Sequence, residues 1–337
     1  MKLEEIGFYT LSDERAMHAS ETSPIWRGEV IVTGRCNFDC VYCRRLPPRD
    51  MDENLALTVI EQWLGDGLKN VRFSGGEPTL YRHLPLLVRG CRVGGVERIG
   101  ISSNGASPLY IYEGLIQDGV NDIAISLDAC YSSLADNIAR VNGQWEKVTA
   151  TIRKLSGMTY VTASIVLSSE NVGQANEIVS LANDLGVADI RFVTASHDDE
   201  LALKMQDIPS AFLDQYPMLR YRVENLRVGR RIRGLRPTDS HKCYLVLDDS
   251  VIAGKWHYPC GVYLREGGLP IGEVGPCMRR QRAEWMLAKD IHTDEICRQF
   301  CSDLYVDYNN KFEEFIRERN DWTLAEYQGP IKVNDFA

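Results

Sequence analysis

No run of about 18 apolar residues occurs anywhere in the 337 residues, and the opening Met1-Lys2-Leu3-Glu4-Glu5 is acidic, without the apolar centre of a secretory signal. A spanning helix and an export leader are therefore not expected, and the chain is assigned to the cytoplasm. Positive charge is also scarce. The 38 Lys and Arg stand against 47 Asp and Glu, a net charge of −9, which argues against bulk DNA or RNA as a partner and leaves a small substrate or a short peptide. There is no low-complexity segment and no internal repeat beyond an alternation of strand-like and helix-like stretches. Neither a Gly-rich dinucleotide fingerprint nor a phosphate loop follows the first strand-like stretch.

What stands in that place is cysteine. The chain has ten, and in a reducing compartment cysteines at short spacings are better read as metal ligands or catalytic groups than as disulfides. With 44% hydrophobic residues the chain can bury a sizeable core. From Glu29 to Thr194 short β-branched runs alternate with amphipathic stretches, the pattern of βα units around a parallel sheet. Six strands are expected at Glu29–Thr33, Asn70–Ser74, Arg98–Ser102, Asp122–Leu127, Tyr160–Leu167 and Asp189–Thr194. Helical spacing of apolar residues marks Leu55–Leu64, Leu84–Cys91, Ile111–Gln117, Trp145–Leu155 and Ala175–Leu185. The fold class is α/β, with a barrel-like sheet favoured over a doubly wound one. Beyond residue 195 a polar, proline-punctuated stretch leads to a second cysteine-bearing region, with a boundary near Ser240. There Tyr244–Ile252 and Lys255–Val262 flank Ala253-Gly254 as a predicted hairpin, and Ala283–Met286 and Asp294–Phe300 as short helices.

Cys36, Cys40 and Cys43 lie in the octet Cys36-Asn37-Phe38-Asp39-Cys40-Val41-Tyr42-Cys43, directly after the first strand. Three thiolates at this spacing can hold three irons of a cubane cluster and leave the fourth open to a ligand. A structural zinc completed by a distant residue is the alternative for the octet alone.

Position for position, the octet resembles the cysteine motif of the radical S-adenosylmethionine superfamily, with Tyr42 as the aromatic before the last cysteine. The resemblance covers about the first 200 residues and includes Ser74-Gly75-Gly76-Glu77-Pro78, Ser102-Ser103-Asn104-Gly105 and Ser126-Leu127-Asp128, all at carboxyl ends of strands. It implies a partial (β/α)6 TIM-like barrel that binds S-adenosylmethionine on a [4Fe–4S] cluster. Tyr42, Gly75, Gly76, Glu77, Ser103, Asn104, Ser126 and Asp128 would contact the cofactor, and Gly75–Glu77 would hold the methionine amino group. It also implies an external electron donor such as flavodoxin or ferredoxin, and cleavage of the cofactor to a 5′-deoxyadenosyl radical that removes a hydrogen atom from substrate.

Cys243, Cys260, Cys277, Cys297 and Cys301 form a second group whose layout resembles the Twitch or SPASM auxiliary-cluster domains, a small α+β unit. One auxiliary [4Fe–4S] cluster is expected, on Cys243, Cys260, Cys297 and Cys301, with Cys277 free or a substitute. Zinc binding, or plain burial of some thiols, is the alternative. Cys91 fits a helix core. Cys130, two residues past Asp128, is a candidate hydrogen-atom donor, with packing the competing role. The resulting organisation is an amino-terminal extension (1–28), barrel and linker (29–239), auxiliary domain (240–320) and tail (321–337).

Seven arginines between Arg220 and Arg236 face one acid, Glu224, and suggest either a site for phosphate, carboxylate or a nucleotide-like substrate, or a solvated basic face. Arg279, Arg280 and Arg282 form a smaller basic group, and Trp256, His257 and Tyr258 could line a substrate cavity or pack around a cluster. Only about 28 residues precede the first strand, shorter than the recognition domain of peptide-modifying relatives, which places a small molecule ahead of a ribosomally made peptide. The expected reaction is oxidation, epimerisation or rearrangement of a small anionic metabolite such as a sugar or nucleoside. A molybdopterin-pathway role is disfavoured by the ending Val333-Asn334-Asp335-Phe336-Ala337, which lacks a glycine tail. A non-catalytic metal-binding protein is the remaining alternative.

Overall fold

The computed structural model describes residues 1–8, 10–195 and 199–319; the predicted tail lies outside them. Strands β1 (Arg27–Thr33), β2 (Asn70–Gly75), β3 (Arg98–Ser103), β4 (Asp122–Ser126), β5 (Tyr160–Leu167) and β6 (Asp189–Thr194) pair in sequence order, all parallel. This is the sheet of a partial barrel, with each predicted strand within two residues of its observed bounds. Helices Glu53–Gly65, Leu84–Val93, Leu109–Asp118, Trp145–Ser156 and Ala175–Asp184 follow the first five strands. A sixth, Pro217–Arg227, packs on β6. It lies inside the stretch expected to be a polar connection, because Arg220, Arg222 and Arg227 interrupt its apolar face of Leu219, Val223 and Leu226.

Alternation along the strands divides the residues into two layers. Val30, Val32, Val71, Phe73, Ile99, Ile101, Ile123 and Ile125 are buried between sheet and helices in one continuous core. The opposite face, the barrel lumen, is polar where an ordinary barrel is filled with branched aliphatics. In register across the sheet lie Glu29, Arg72, Gly100 and Asp122, and two layers further Ser126, Ser164 and Arg191. Gly100 is needed for room: a Cβ there would come within 3.1 Å of the Arg72 guanidinium and 3.2 Å of the Asp122 carboxylate, which pair across its strand.

Beyond the barrel, β7 (Asp249–Ala253) pairs in parallel with β1, and β8 (Trp256–Tyr258) and β9 (Gly272–Glu273) extend the same sheet antiparallel. The sheet order is β6-β5-β4-β3-β2-β1-β7-β8-β9. The predicted hairpin turns where expected, at Gly254 with φ 57°, but its arms are shorter. Tyr244–Leu247 is a 3-10 turn, and Gly261–Arg265 is a helix capped by Cys260. The predicted short helices occupy Met278–Ala288 and Glu295–Phe300. Helices at Ser132–Ala139 and Asp303–Arg319, and short ones at Asp13–His18 and Ser210–Gln215, occur where no element was expected. A second core joins Leu3, Ile6, Leu11 and Ala16 near the amino terminus to Leu245, Met286, Leu304, Tyr308 and Phe312. No described helix is long and apolar enough to cross a membrane.

Candidate active site

The octet forms a loop docked on helix Ser132–Ala139 by two main-chain bonds, Asp39 N to Ala139 O and Val41 N to Ile138 O, each 3.0 Å. Within it Cys43 N donates to Cys40 O at 3.0 Å, which turns the chain back on itself. The three thiols share one electrostatic neighbourhood. Burial, followed by Asp128 and the other two thiols, pushes the Cys40 thiol up to about 12. Phe38 N and Asn104 Nδ2 stand 3.4 and 3.8 Å from Cys36 Sγ and supply donors to that sulfur. All three thiols are free, and Cys36 and Cys43 are exposed. Among the described residues no three His, Cys, Asp or Glu side chains converge on a single ion. A cubane spreads its ligands more widely than one ion does, and three adjacent free thiols with sulfur-directed donors fit that group.

The end of β2 approaches the octet so closely that only glycine is accommodated. A Cβ on Gly75, whose φ is 149°, would lie 2.0 Å from Thr33 O, and one on Gly76 2.2 Å from Arg35 O. Glu77 is fully buried and its desolvated carboxyl is pushed up, opposed by four hydrogen bonds. Its Oε1 accepts from Thr79 N, Thr79 Oγ1 and Ser103 Oγ, and its Oε2 from Asn104 N at 2.7 Å. Glu77 thereby ties the end of β2 to the end of β3. Past β4, Asp128 accepts from Tyr42 Oη at 2.5 Å and Val166 N at 2.7 Å, and burial pushes its carboxyl up to about 6. Tyr42 thus links the octet to the β4 end.

Two cavities adjoin these residues, and a third adjoins the second. The first is mostly apolar, walled by Phe38, Leu127, Ile138, Trp145 and Val148, with Cys40, Asn104, Ser126 and Asp128 among its lining. The second, of about 390 Å³, occupies the lumen and shares Ser126 with the first. Tyr42, Cys43 and Ser74 line it, together with Arg27, Arg44, Arg72, Arg191, Arg222, Arg233 and Arg265 against Glu29 and Glu266. Asp249, Asp122 and Asp303 behind the wall neutralise Arg27, Arg72 and Arg222. Among the described residues, a surplus of positive charge remains. Glu29 accepts from Ser74 Oγ at 2.6 Å, and Arg27 beside it holds its carboxyl below the usual range despite burial.

The third cavity is lined by Cys243, Cys260, Cys297 and Cys301, with Pro259, Trp285, Ile291 and Ile296 around them. Val262 and Tyr305 line both this cavity and the lumen. Cys297 and Cys301 share one helical turn, with Cys301 N donating to Cys297 O at 3.1 Å. Burial, followed by Cys243 and Asp249, pushes the Cys260 thiol up to about 12, and Arg282, itself buried, adds positive charge beside Cys243 and Cys260. Four thiols facing one apolar cavity suit a fully ligated cluster. Cys277 is exposed, lies outside this cavity, and is approached by Arg280 Nη2 at 3.7 Å.

Other predicted residues are placed elsewhere. Cys130 is half-buried against the main core and lines none of the three cavities. Cys91 is in that core. The basic run from Arg220 to Arg236 is spent largely on internal partners: Arg222 pairs with Asp303, Arg227 with Asp207, Arg230 with Asp307 and Arg236 with Asp239, while Arg233 donates to Thr194 O. Only Arg222 and Arg233 of the run line the lumen cavity. His257 is buried, bonded to Gln281 and Arg282, and Trp256, His257 and Tyr258 line none of the three cavities. The lumen arginines of the strands themselves were overlooked, although a visible signal existed: Arg27, Glu29, Arg72 and Arg191 are charges placed inside β-branched runs.

A parallel-stranded partial barrel with a three-cysteine loop after its first strand, and three strand ends gathered around that loop, defines the class of barrel enzymes that hold S-adenosylmethionine on an iron–sulfur cluster. Residues 30–182 match the family model of the Radical SAM superfamily, which the chain resembles in its octet and its barrel. Its members use S-adenosylmethionine and a [4Fe–4S] cluster. Similar relatives include a probable GTP 3′,8-cyclase of Metallosphaera sedula, 29% identical over 172 residues covering 49% of this chain and 54% of that protein. A GTP 3′,8-cyclase of Rhodopseudomonas palustris is 28% identical over 173 residues, covering 47% and 49%. The chain spans about half the length of the curated relatives it matches. Among solved structures, anSMEcpe with bound AdoMet has a TM-score of 0.56 at 14% identity, covering 88% of this chain and 98% of that one. SuiB of Streptococcus suis has a TM-score of 0.56 at 14% identity, covering 84% and 67%. At such identities the likeness is one of fold.

Proposed function

We propose that this protein removes a hydrogen atom from a small anionic metabolite held in the barrel lumen, between an S-adenosylmethionine site at the octet and an auxiliary [4Fe–4S] site at Cys243, Cys260, Cys297 and Cys301. The observation that carries this reading is the lumen cavity itself. It is rich in arginine, touches Tyr42 and Cys43, and shares Val262 and Tyr305 with the cavity of the four thiols.

When bound, the cluster and S-adenosylmethionine supply the carbon radical, and the protein supplies position and dryness. Gly75 and Gly76 let the main chain approach the methionine end, and Glu77 braces that turn against Asn104. Asp128 and Tyr42 fix the octet relative to β4, and the apolar first cavity suits a nucleoside base. The arginines orient an anionic group, and Glu29, held as a carboxylate, accepts from a hydroxyl or ammonium on the same molecule. A volume of about 390 Å³ is in the range of small-ligand pockets. The barrel relatives carry GTP in their names, so nucleotides are the first class to try.

The test is anaerobic reconstitution followed by reductant and S-adenosylmethionine, with 5′-deoxyadenosine measured alone and against nucleoside phosphates, sugar phosphates and short peptides. The reading expects slow release alone and stimulation by one anionic small molecule. A fully iron-loaded protein that yields none rejects it; stimulation by a peptide instead replaces the substrate class.

A further inference from the structure

The lumen arginines differ in what they are spent on. Arg27, Arg44, Arg72 and Arg222 each have a carboxylate: Asp249 with Glu29, Glu266, Asp122 and Asp303 respectively. Arg265 forms no ion pair among the described residues, and its one hydrogen bond there is from Nη2 to Gly75 O, 3.2 Å. Glu29 and Glu266, the two acids of the cavity, are occupied by Arg27 with Ser74 and by Arg44. A half-buried guanidinium thus lies on the main chain of the turn that ends β2, with most of its N–H groups uncommitted.

Arg265 does not belong to the barrel. It is the last residue of helix Gly261–Arg265, whose first turn is capped by Cys260: Sγ accepts from Tyr263 N at 3.4 Å. A second tie, Arg44 Nε to Glu266 Oε2 at 3.4 Å, joins the same segment to the residue after Cys43. If the methionine amino group sits at Gly75–Glu77, its carboxylate, on the same α-carbon, must lie close by. An ammonium and a guanidinium sharing the neighbourhood of one carbonyl repel each other unless an anion lies between them. The guanidinium fork suits a carboxylate.

We infer that Arg265 is the cation for the methionine carboxylate of S-adenosylmethionine, so that the segment after Cys260 completes a cofactor site otherwise built by the barrel. This rests on the radical S-adenosylmethionine reading above, and it adds a cofactor contact that lies outside residues 30–182.

The test is the affinity of the reconstituted full chain for S-adenosylmethionine without any substrate, read from the change in the EPR spectrum of the reduced cluster and by equilibrium dialysis. Arg265→Ala is expected to bind roughly 10- to 100-fold more weakly at unchanged iron content, with Arg265→Lys recovering part of the loss. If the Ala variant loses iron, Arg265→Gln, which keeps the length and polarity of the side chain, carries the same comparison. Wild-type affinity in the substituted protein overturns the inference, and so does an unchanged affinity accompanied by a raised KM for the anionic substrate, which would give the guanidinium to substrate. Failure of the wild-type protein to bind S-adenosylmethionine overturns the functional reading itself and is recognisable as such.

Discussion

Charged residues on the lumen face of the strands are costly to bury, and each must be matched. Arg72 meets Asp122, and Arg27 meets Asp249 and Glu29. Asp189, at the start of β6, is less well served. It is buried, its Oδ1 accepts from Ile190 N at 2.8 Å, and desolvation pushes its carboxyl up to about 7, with Asp122 adding to the rise and Arg191 opposing it. A carboxyl whose folded pKa exceeds its unfolded value costs stability as pH rises from about 4 through about 7, because the folded state must then ionise a group it holds better protonated. Asp189→Asn, which keeps the Oδ1 acceptor, should therefore stabilise the protein by on the order of 1–3 kcal/mol at pH 8 and by about a third as much at pH 5. Thermal unfolding of both proteins at the two pH values checks this; an equal shift at both would remove the titration account.

At the level of elements, contacts between helix and sheet are set by a few residues of unusual size. Gly28 lies on the outer face of β1 under Trp63, a fully buried residue of helix Glu53–Gly65, and a Cβ on it would stand 2.3 Å from the indole ring. The ring cannot retreat, since the core around it is closed. Gly28→Ala should cost about 1–3 kcal/mol through overpacking, seen as a lower urea midpoint at unchanged slope. Helix Pro217–Arg227 shows the opposite device. Its Arg222, and Arg230 just beyond its end, clamp it to Asp303 and Asp307 of the last helix. The basic run that suggested a ligand site is thus mainly a brace, and partners some 80 residues away in sequence were not visible from the run itself.

Taken whole, the molecule is one nine-stranded sheet in which β7 pairs with β1. This pairing sets Cys260, just past β8, in a cavity that shares Tyr305 with the lumen. The four-thiol set then draws on three separate segments, and its members should be equivalent in effect. Serine at Cys243, Cys260, Cys297 or Cys301 is expected to lower a full complement of about eight irons toward four, whereas Cys277→Ser should leave it unchanged. Iron analysis with Mössbauer spectroscopy decides; full loading in the Cys260→Ser protein, or loss in the Cys277→Ser protein, would reassign the ligands.

The six strands, five of the barrel helices and the octet were legible because each is local. Period-2 and period-3.6 patterns, and ligands seven residues apart, are written in consecutive residues. The sixth helix was hidden by arginines whose partners are distant, and the lumen charges were passed over because strand reading attends to apolar faces. By itself, then, the sequence determined the class of fold, the three-thiol loop after the first strand and the chemistry such a loop can support. Only the tertiary structure decided that the four thiols face a cavity bordering the lumen, that the described lining of the lumen is rich in arginine, and that Arg265 from beyond the barrel touches Gly75. The physical reason is that these are relations between segments brought together by parallel pairing and burial, and no short-range pattern in the chain encodes them.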